Sequence, residues 1–301
     1  MSNQNHENAN IYRDLCNITG DVLKGKSVNL PNGYRVLETE QNSRNNFKSV
    51  AYQQGDEIVL CYLGTNSLSI KDHATNLKMA TSSKPSSQMI SAHQFYENVK
   101  KINKNSSFKV IGHSEGGSEA LYVGLSNNLP TVTFNAYGLH PNLIKDFDKE
   151  KANELVTNYR DPNDPVSKLR PLSGKTYVVE NKRSVFEKVN PFGMISAHRI
   201  SNFGDCNNAK DVETYKKEHK RFISSIDDVE ITDKDIGKMP NELYQIYDEE
   251  ISNRLSKGQI LKEHQAKEKT LVGSLIKVSD YVRDDGTQVD GYYRKRPNYA
   301  S

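Results

Sequence analysis

The chain has 301 residues and a mass of 34.0 kDa, enough for one large domain or two modest ones with a sizeable core. Its 41 Lys/Arg and 38 Asp/Glu leave a net charge of only +3, too near balance to mark nucleic acid as the partner. Hydrophobic residues make up 35% and mean hydropathy is -0.76, yet 16 Tyr and 9 Phe leave ample material to bury, which excludes full disorder.

No run of about 18 apolar residues is present, so no transmembrane helix is expected. The opening MSNQNHENANIYRDL lacks the apolar core of a secretory signal. A cytoplasmic location at synthesis is expected, with export left to a route that needs no signal peptide. Cys16, Cys61 and Cys206 are too few and too scattered for a disulfide framework or a zinc site, and no His-Glu-x-x-His occurs. No metal and no cofactor are expected.

In chain order, residues 9–24 read as a helix with Ile11, Leu15, Ile18 and Val22 on one stripe. Tyr34–Leu37, Phe47–Gln53 and Ile58–Leu63 read as strands, the last two joined by a turn at Gln54-Gly55-Asp56. Ser87–Asn103 is an amphipathic helix that should bury Ile90, Phe95, Val99 and Ile102. Phe108–Ile111 is a short apolar strand, followed by a glycine-rich turn and a helix over Gly116–Asn127. Thr131–Phe134, Leu155–Tyr159 and Thr176–Val179 read as further strands. Alternating strands and helices predict an α/β fold with a mostly parallel central sheet.

Composition changes near Gly204. Residues 1–204 carry 24 Lys/Arg against 19 Asp/Glu, whereas residues 205–301 carry 17 against 19. The expected division is therefore an α/β domain over 1–204 and a helical C-terminal region over 205–301, ending in a hairpin-like tail. In that region Val212–Ile226 and Asn241–Leu255 read as helices, and Tyr281–Val289 reads as a hairpin around Asp285-Gly286.

The chemistry lies in Val110-Ile111-Gly112-His113-Ser114-Glu115-Gly116-Gly117, a Gly-x-Ser-x-Gly between a strand and a helix. Such a turn strains the serine backbone and lifts its hydroxyl above the sheet edge. The flanking glycines let strand and helix approach. A serine hydroxyl needs a base, and the base needs an orienting carboxylate; after this elbow the chain order is Ser, Asp or Glu, His. Asp164 stands in a turn bracketed by Pro162 and Pro165, with Asp161 as its rival for the acid. His198 is the histidine that follows in the next loop. His113 is expected to pack behind the elbow rather than react, and His140 to line the pocket or serve structure.

Gly33 to Phe203, about 170 of the 301 residues, resembles the class 3 type lipases of the α/β-hydrolase fold, particularly bacterial lipase-like and phospholipase-like members. The resemblance rests on Phe47–Tyr52 followed by Ile58–Thr65, on the elbow, on Thr131–Gly138, on Asn163-Asp164-Pro165-Val166 and on His198-x-x-x-x-Phe203. It implies Ser114 as nucleophile, Asp164 as orienting acid and His198 as base. It further implies an oxyanion hole from Thr65 and the Glu115 backbone N–H, with Asn76 supporting the oxyanion loop. Two positions depart from the family pattern. Leu63 stands where arginine is usual, and Glu115 where leucine is frequent.

The function implied is a serine carboxylic-ester hydrolase acting on lipid, a bacterial phospholipase or lipase and a candidate exported effector. The expected partner is a lipid or other acyl ester, with peripheral membrane contact and no nucleic acid. The 205–301 region is a candidate protein-binding element. A thioesterase or acyltransferase on the same three residues, or a non-catalytic binding protein on the same fold, are the alternatives. The Leu77–Met89 stretch reads as a small, mostly polar flap with apolar ends.

Overall fold

A computed structural model describes residues 2–64, 84–145, 147–164, 166–168, 170, 172–180 and 197–219, together with short strands between 275 and 295. They fall into two units, Met1–Glu230 and Ile231–Ser301. In the first, eight strands form one sheet in sequence order: β1 (Arg35–Asn42), β2 (Phe47–Gln54), β3 (Glu57–Leu63), β4 (Ser107–His113), β5 (Thr131–Phe134), β6 (Val156–Arg160), β7 (Lys175–Val178) and β8 (Lys210–Asp211). Pairings from β3 to β7 are parallel, whereas β1 to β3 and the β7–β8 pair are antiparallel. The sheet thus runs past Gly204.

Both faces of the sheet are covered, and β3 shows why its sequence is apolar throughout. Ile58, Leu60 and Tyr62 enter one core cluster while Val59 and Cys61 enter the other, as the period of two demands. Strands that step steadily in one direction, joined by right-handed crossovers, put their connecting helices on one face. Accordingly α2 (Ser87–Ile102), α3 (Glu115–Asn127) and α4 (Lys149–Leu155) lie on the same side. The Ser86 hydroxyl caps α2, accepting the Met89 N–H at 3.1 Å.

That winding leaves the opposite face to the N-terminal helix α1 (Ser2–Val22). Leu15 is fully buried at its centre, with Tyr12, Cys16 and Thr19 beside it. The expected stripe is therefore rotated, and Ile11, Ile18 and Val22 sit at its margins. Thr19 belongs inside because its hydroxyl is satisfied there, donating to Leu15 O at 2.7 Å and lying 2.9 Å from the Tyr52 hydroxyl. Cys16 and Cys61 meet in this layer with their sulfurs 3.6 Å apart, both as free thiols. α1 also grips the chain beyond β7: Arg13 donates to Gly204 O at 2.7 Å, and Asn10 Oδ1 accepts the Cys206 N–H at 2.9 Å.

α2 differs from expectation at both ends. Ile90 is 48% exposed and Ile102 is 81% exposed, while Gln88, Met89, Ala92, Phe95, Tyr96 and Val99 are buried. The buried residues recur at three and four positions, a stripe from which Ile90 is rotated away, and Ile102 belongs to the last turn of the helix.

The short helix α5 (Val212–His219) closes the first unit on the β7–β8 edge, where its Tyr215 and Val212 pack on Val178. In the second unit, β9 (Leu275–Val278) pairs antiparallel with β12 (Tyr292–Lys295), and β10 (Tyr281–Val282) with β11 (Gln288–Val289). The predicted helix at 241–255 lies outside the described residues.

Candidate active site

β4 delivers the chain into a turn that only this glycine pattern permits. Ser114 has φ 58° and ψ −124°, a strained conformation for a residue with a side chain. A Cβ on Gly112 would stand 2.1 Å from Gly116 O, and one on Gly116 would stand 2.2 Å from Tyr62 O. Neither glycine tolerates a side chain without moving backbone. Behind Ser114, the Phe134 carbonyl accepts its N–H at 3.1 Å, and the Gly117 N–H donates to its carbonyl at 3.1 Å. The hydroxyl consequently stands at the N-terminal end of α3, where the helix dipole favours developing negative charge.

His198 and Asp164 complete a hydrogen-bonded line. The Ser114 Oγ lies 2.7 Å from His198 Nε2, and His198 Nδ1 lies 3.0 Å from Asp164 Oδ1. All three residues are buried. Asp164 also accepts the N–H groups of Val166 and Ser167, each at 3.1 Å. Burial alone would raise its pKa. The charge of His198 and the hydrogen bonds from His198, Ser167 and Val166 outweigh that effect and hold it below the usual carboxylate value. An ionised Asp164 accepts from Nδ1–H of His198, which leaves Nε2 to accept from the Ser114 hydroxyl.

Asp161 has different work. Its Oδ1 accepts the Asn163 N–H at 2.7 Å and its carbonyl accepts the Asp164 N–H at 3.1 Å, so it shapes the turn that presents Asp164. His113 is half-buried, and its Nε2 lies 2.6 Å from the His198 carbonyl; a carbonyl only accepts, so Nε2 carries the proton. His140 Nδ1 accepts the Asn142 N–H at 3.1 Å. Gly64 packs against the elbow, where an added Cβ would stand 3.2 Å from Glu115 N. Thr65, Asn76 and most of the Leu77–Met89 stretch lie outside the described residues.

Several residues at or near the site escaped sequence reasoning. Asn135, directly after β5, is fully buried at φ 45° and bonds both the Asp161 segment before Asp164 and the Ala197 segment before His198. Its sequence signal was only an Asn at a strand end, a residue tolerant of positive φ. Arg160 is buried at the end of β6, donates to Ser167 O, and is pushed down to about 10 by burial against the opposing pull of Asp164. Arg170 lies 4.9 Å over the Tyr137 ring. Glu119, one turn into α3 beyond Glu115, is buried, and neither carboxyl oxygen has a hydrogen-bond partner among the described residues. Burial, then the Glu115 charge, holds its carboxyl well above the usual range.

Among the described residues no group of three or more His, Cys, Asp or Glu is placed to hold a metal. Nor is any described helix long and apolar enough to cross a membrane.

A mostly parallel sheet with a strained serine between β4 and α3 defines an α/β-hydrolase. Residues 20–187 match the Tle-like phospholipase domain, described as phospholipase-like, and the chain belongs to that family. It is a lipase- or phospholipase-like ester hydrolase. Similar solved structures include the Lip2 lipase of Yarrowia lipolytica, at 15% identity and TM-score 0.49, covering 67% of this chain and 86% of that one. The triacylglyceride lipase of Rhizomucor miehei shows 15% identity and TM-score 0.48, covering 68% and 98%. A triacylglycerol lipase of Penicillium expansum shows 14% identity and TM-score 0.45, covering 60% and 81%. No curated protein matches the chain.

Proposed function

We propose that the protein is a serine hydrolase of lipid esters, a phospholipase of bacterial type, with Ser114 as nucleophile, His198 as base and Asp164 as orienting acid. The observation that carries this reading is the unbroken line Ser114 Oγ, His198, Asp164 at 2.7 and 3.0 Å. Ser114 Oγ attacks the ester carbonyl carbon as His198 Nε2 takes its proton. Asp164 stabilises the imidazolium that results. The carbonyl oxygen, now anionic, is received by the backbone N–H of Glu115 and by Thr65, with Asn76 steadying the oxyanion loop. Collapse expels the alcohol, which takes its proton from His198, and leaves an acyl-enzyme on Ser114. Water, deprotonated by His198, releases the fatty acid and restores the hydroxyl.

The net +5 of residues 1–204 supports peripheral contact with an anionic lipid surface, each well-placed basic residue contributing about 1 kcal/mol. An exported effector, with 205–301 as a partner-binding region, fits the same reading. The test is fluorophosphonate labelling together with fatty-acid release from phospholipid vesicles. Labelling at Ser114 with release from vesicles supports the proposal. Labelling elsewhere rejects it, and activity confined to soluble esters reduces it to an esterase.

A further inference from the structure

We infer that Asn135 is a positioning residue that holds the acid and base segments in register and thereby sets the alignment of His198 between Ser114 and Asp164. The inference rests on the roles just proposed for those three residues and adds a fourth. Asn135 follows β5, at the carboxyl end of the sheet, and its main-chain N–H donates to Tyr159 O at 2.9 Å. Its side chain then reaches two segments far apart in sequence. Oδ1 accepts the Asp161 N–H at 2.8 Å, three residues before Asp164. Nδ2 donates to Ala197 O at 2.9 Å, the residue before His198, with His198 O at 3.5 Å.

A short carboxamide is suited to this bridge because it accepts at one end and donates at the other from one rigid plane. Aspartate lacks the donor, leucine lacks both groups, and a serine hydroxyl is too short to span both segments. The backbone conformation fits the residue as well. At φ 45° the position suits glycine or asparagine, and asparagine keeps a side chain there, fully buried. His113 grips the same His198 carbonyl from β4 at 2.6 Å, so the base is fixed through its main chain from two strands. The reacting atoms are thus aligned by residues that lie outside the Ser114, His198, Asp164 line.

The test compares Asn135→Gly, which relaxes the backbone and removes both side-chain bonds, with Asn135→Asp, which keeps the acceptor and loses the donor. Ser114→Ala serves as the control for the site itself. The readouts on the full chain are Tm, kcat and KM for a soluble short-chain ester, fluorophosphonate labelling rate, and the pH profile of kcat/KM. In both Asn135 variants kcat and labelling rate should fall together by about 10- to 100-fold, with KM changed less than about threefold. The added carboxylate of Asn135→Asp should also move the acid limb of the profile to higher pH, since it favours the protonated base.

A folded Asn135→Gly with kcat within about twofold of the parent overturns the inference. So does a loss that follows Tm and disappears well below the melting transition, or failure of both variants to fold, since either makes the role purely structural. Failure of the underlying reading looks different: Ser114→Ala would then keep its activity whatever the Asn135 variants did.

Discussion

At the scale of single residues, the site's behaviour follows from which groups are buried and what they touch. Ser114→Ala should reduce ester hydrolysis by several powers of ten while the melting profile survives, because the elbow geometry comes from Gly112 and Gly116 rather than from the hydroxyl. Parental activity in a folded Ser114→Ala protein would remove the serine from the mechanism. Asp164→Asn should cost up to about four powers of ten and Asp161→Asn far less, since Asp164 bonds His198 Nδ1 while the Asp161 carboxylate accepts the Asn163 N–H; kcat/KM for the two variants checks the order. Because the Asp164 pKa is lowered on folding, its stabilisation is present above the ordinary carboxylate value of about 3.9 and is lost as pH falls through the depressed one. Glu119 has the opposite sign. Its pKa is raised, so as pH climbs past the ordinary value the unfolded chain ionises while the buried carboxyl does not, and folding is progressively penalised. Glu119→Gln should therefore raise Tm by a few degrees at pH 8, on a scale of about 2–4 °C per kcal/mol, and the gain should shrink towards pH 4. Thermal melts at the two pH values decide; an equal shift at both would show that ionisation is not the cause.

Among the elements, strand and helix identity in the α/β unit was largely legible, because β3, β4 and β5 carry apolar runs of strand length and α3 opens at the elbow. The line from Ser114 to Asp164 to His198 was legible for another reason: the elbow fixes one member, and chain order constrains the others. The faces of helices were harder to read. A stripe scored by aliphatic content favours Ile11, Ile18, Ile90 and Ile102, whereas the fold buries Tyr12, Cys16, Thr19, Gln88 and Tyr96. Such side chains can find polar partners that no one-dimensional pattern displays, as the Thr19 hydroxyl does in Leu15 O and Tyr52. Asn135 was hidden for the same reason, since its partners lie 26 and 62 residues away. Leu15, unexposed at the centre of α1, should cost about 2–5 kcal/mol when replaced by alanine. Denaturant unfolding measures this, and a change below about 1 kcal/mol would mean that α1 adds little to the sheet.

For the whole molecule, the eight-stranded sheet and the Ser114, Asp164 and His198 side chains all belong to Met1–Glu230. A chain ending at Glu230 should keep short-ester hydrolysis within a few-fold of the full chain, and loss of activity in a folded truncation would give residues 231–301 a part in the chemistry. The one-directional winding of the sheet has a further consequence, in time rather than in space. α1 leaves the ribosome ahead of everything it packs against. Its ties to Gly204 and Cys206 cannot form until some 190 residues have followed, although the helix itself is complete by Val22. Over that interval Tyr12, Leu15 and Cys16 meet the sheet strand by strand, first β2 and β3 with Tyr52 and Cys61. α1 is therefore made long before its last partners, and the hazard of misassembly is concentrated in the wait.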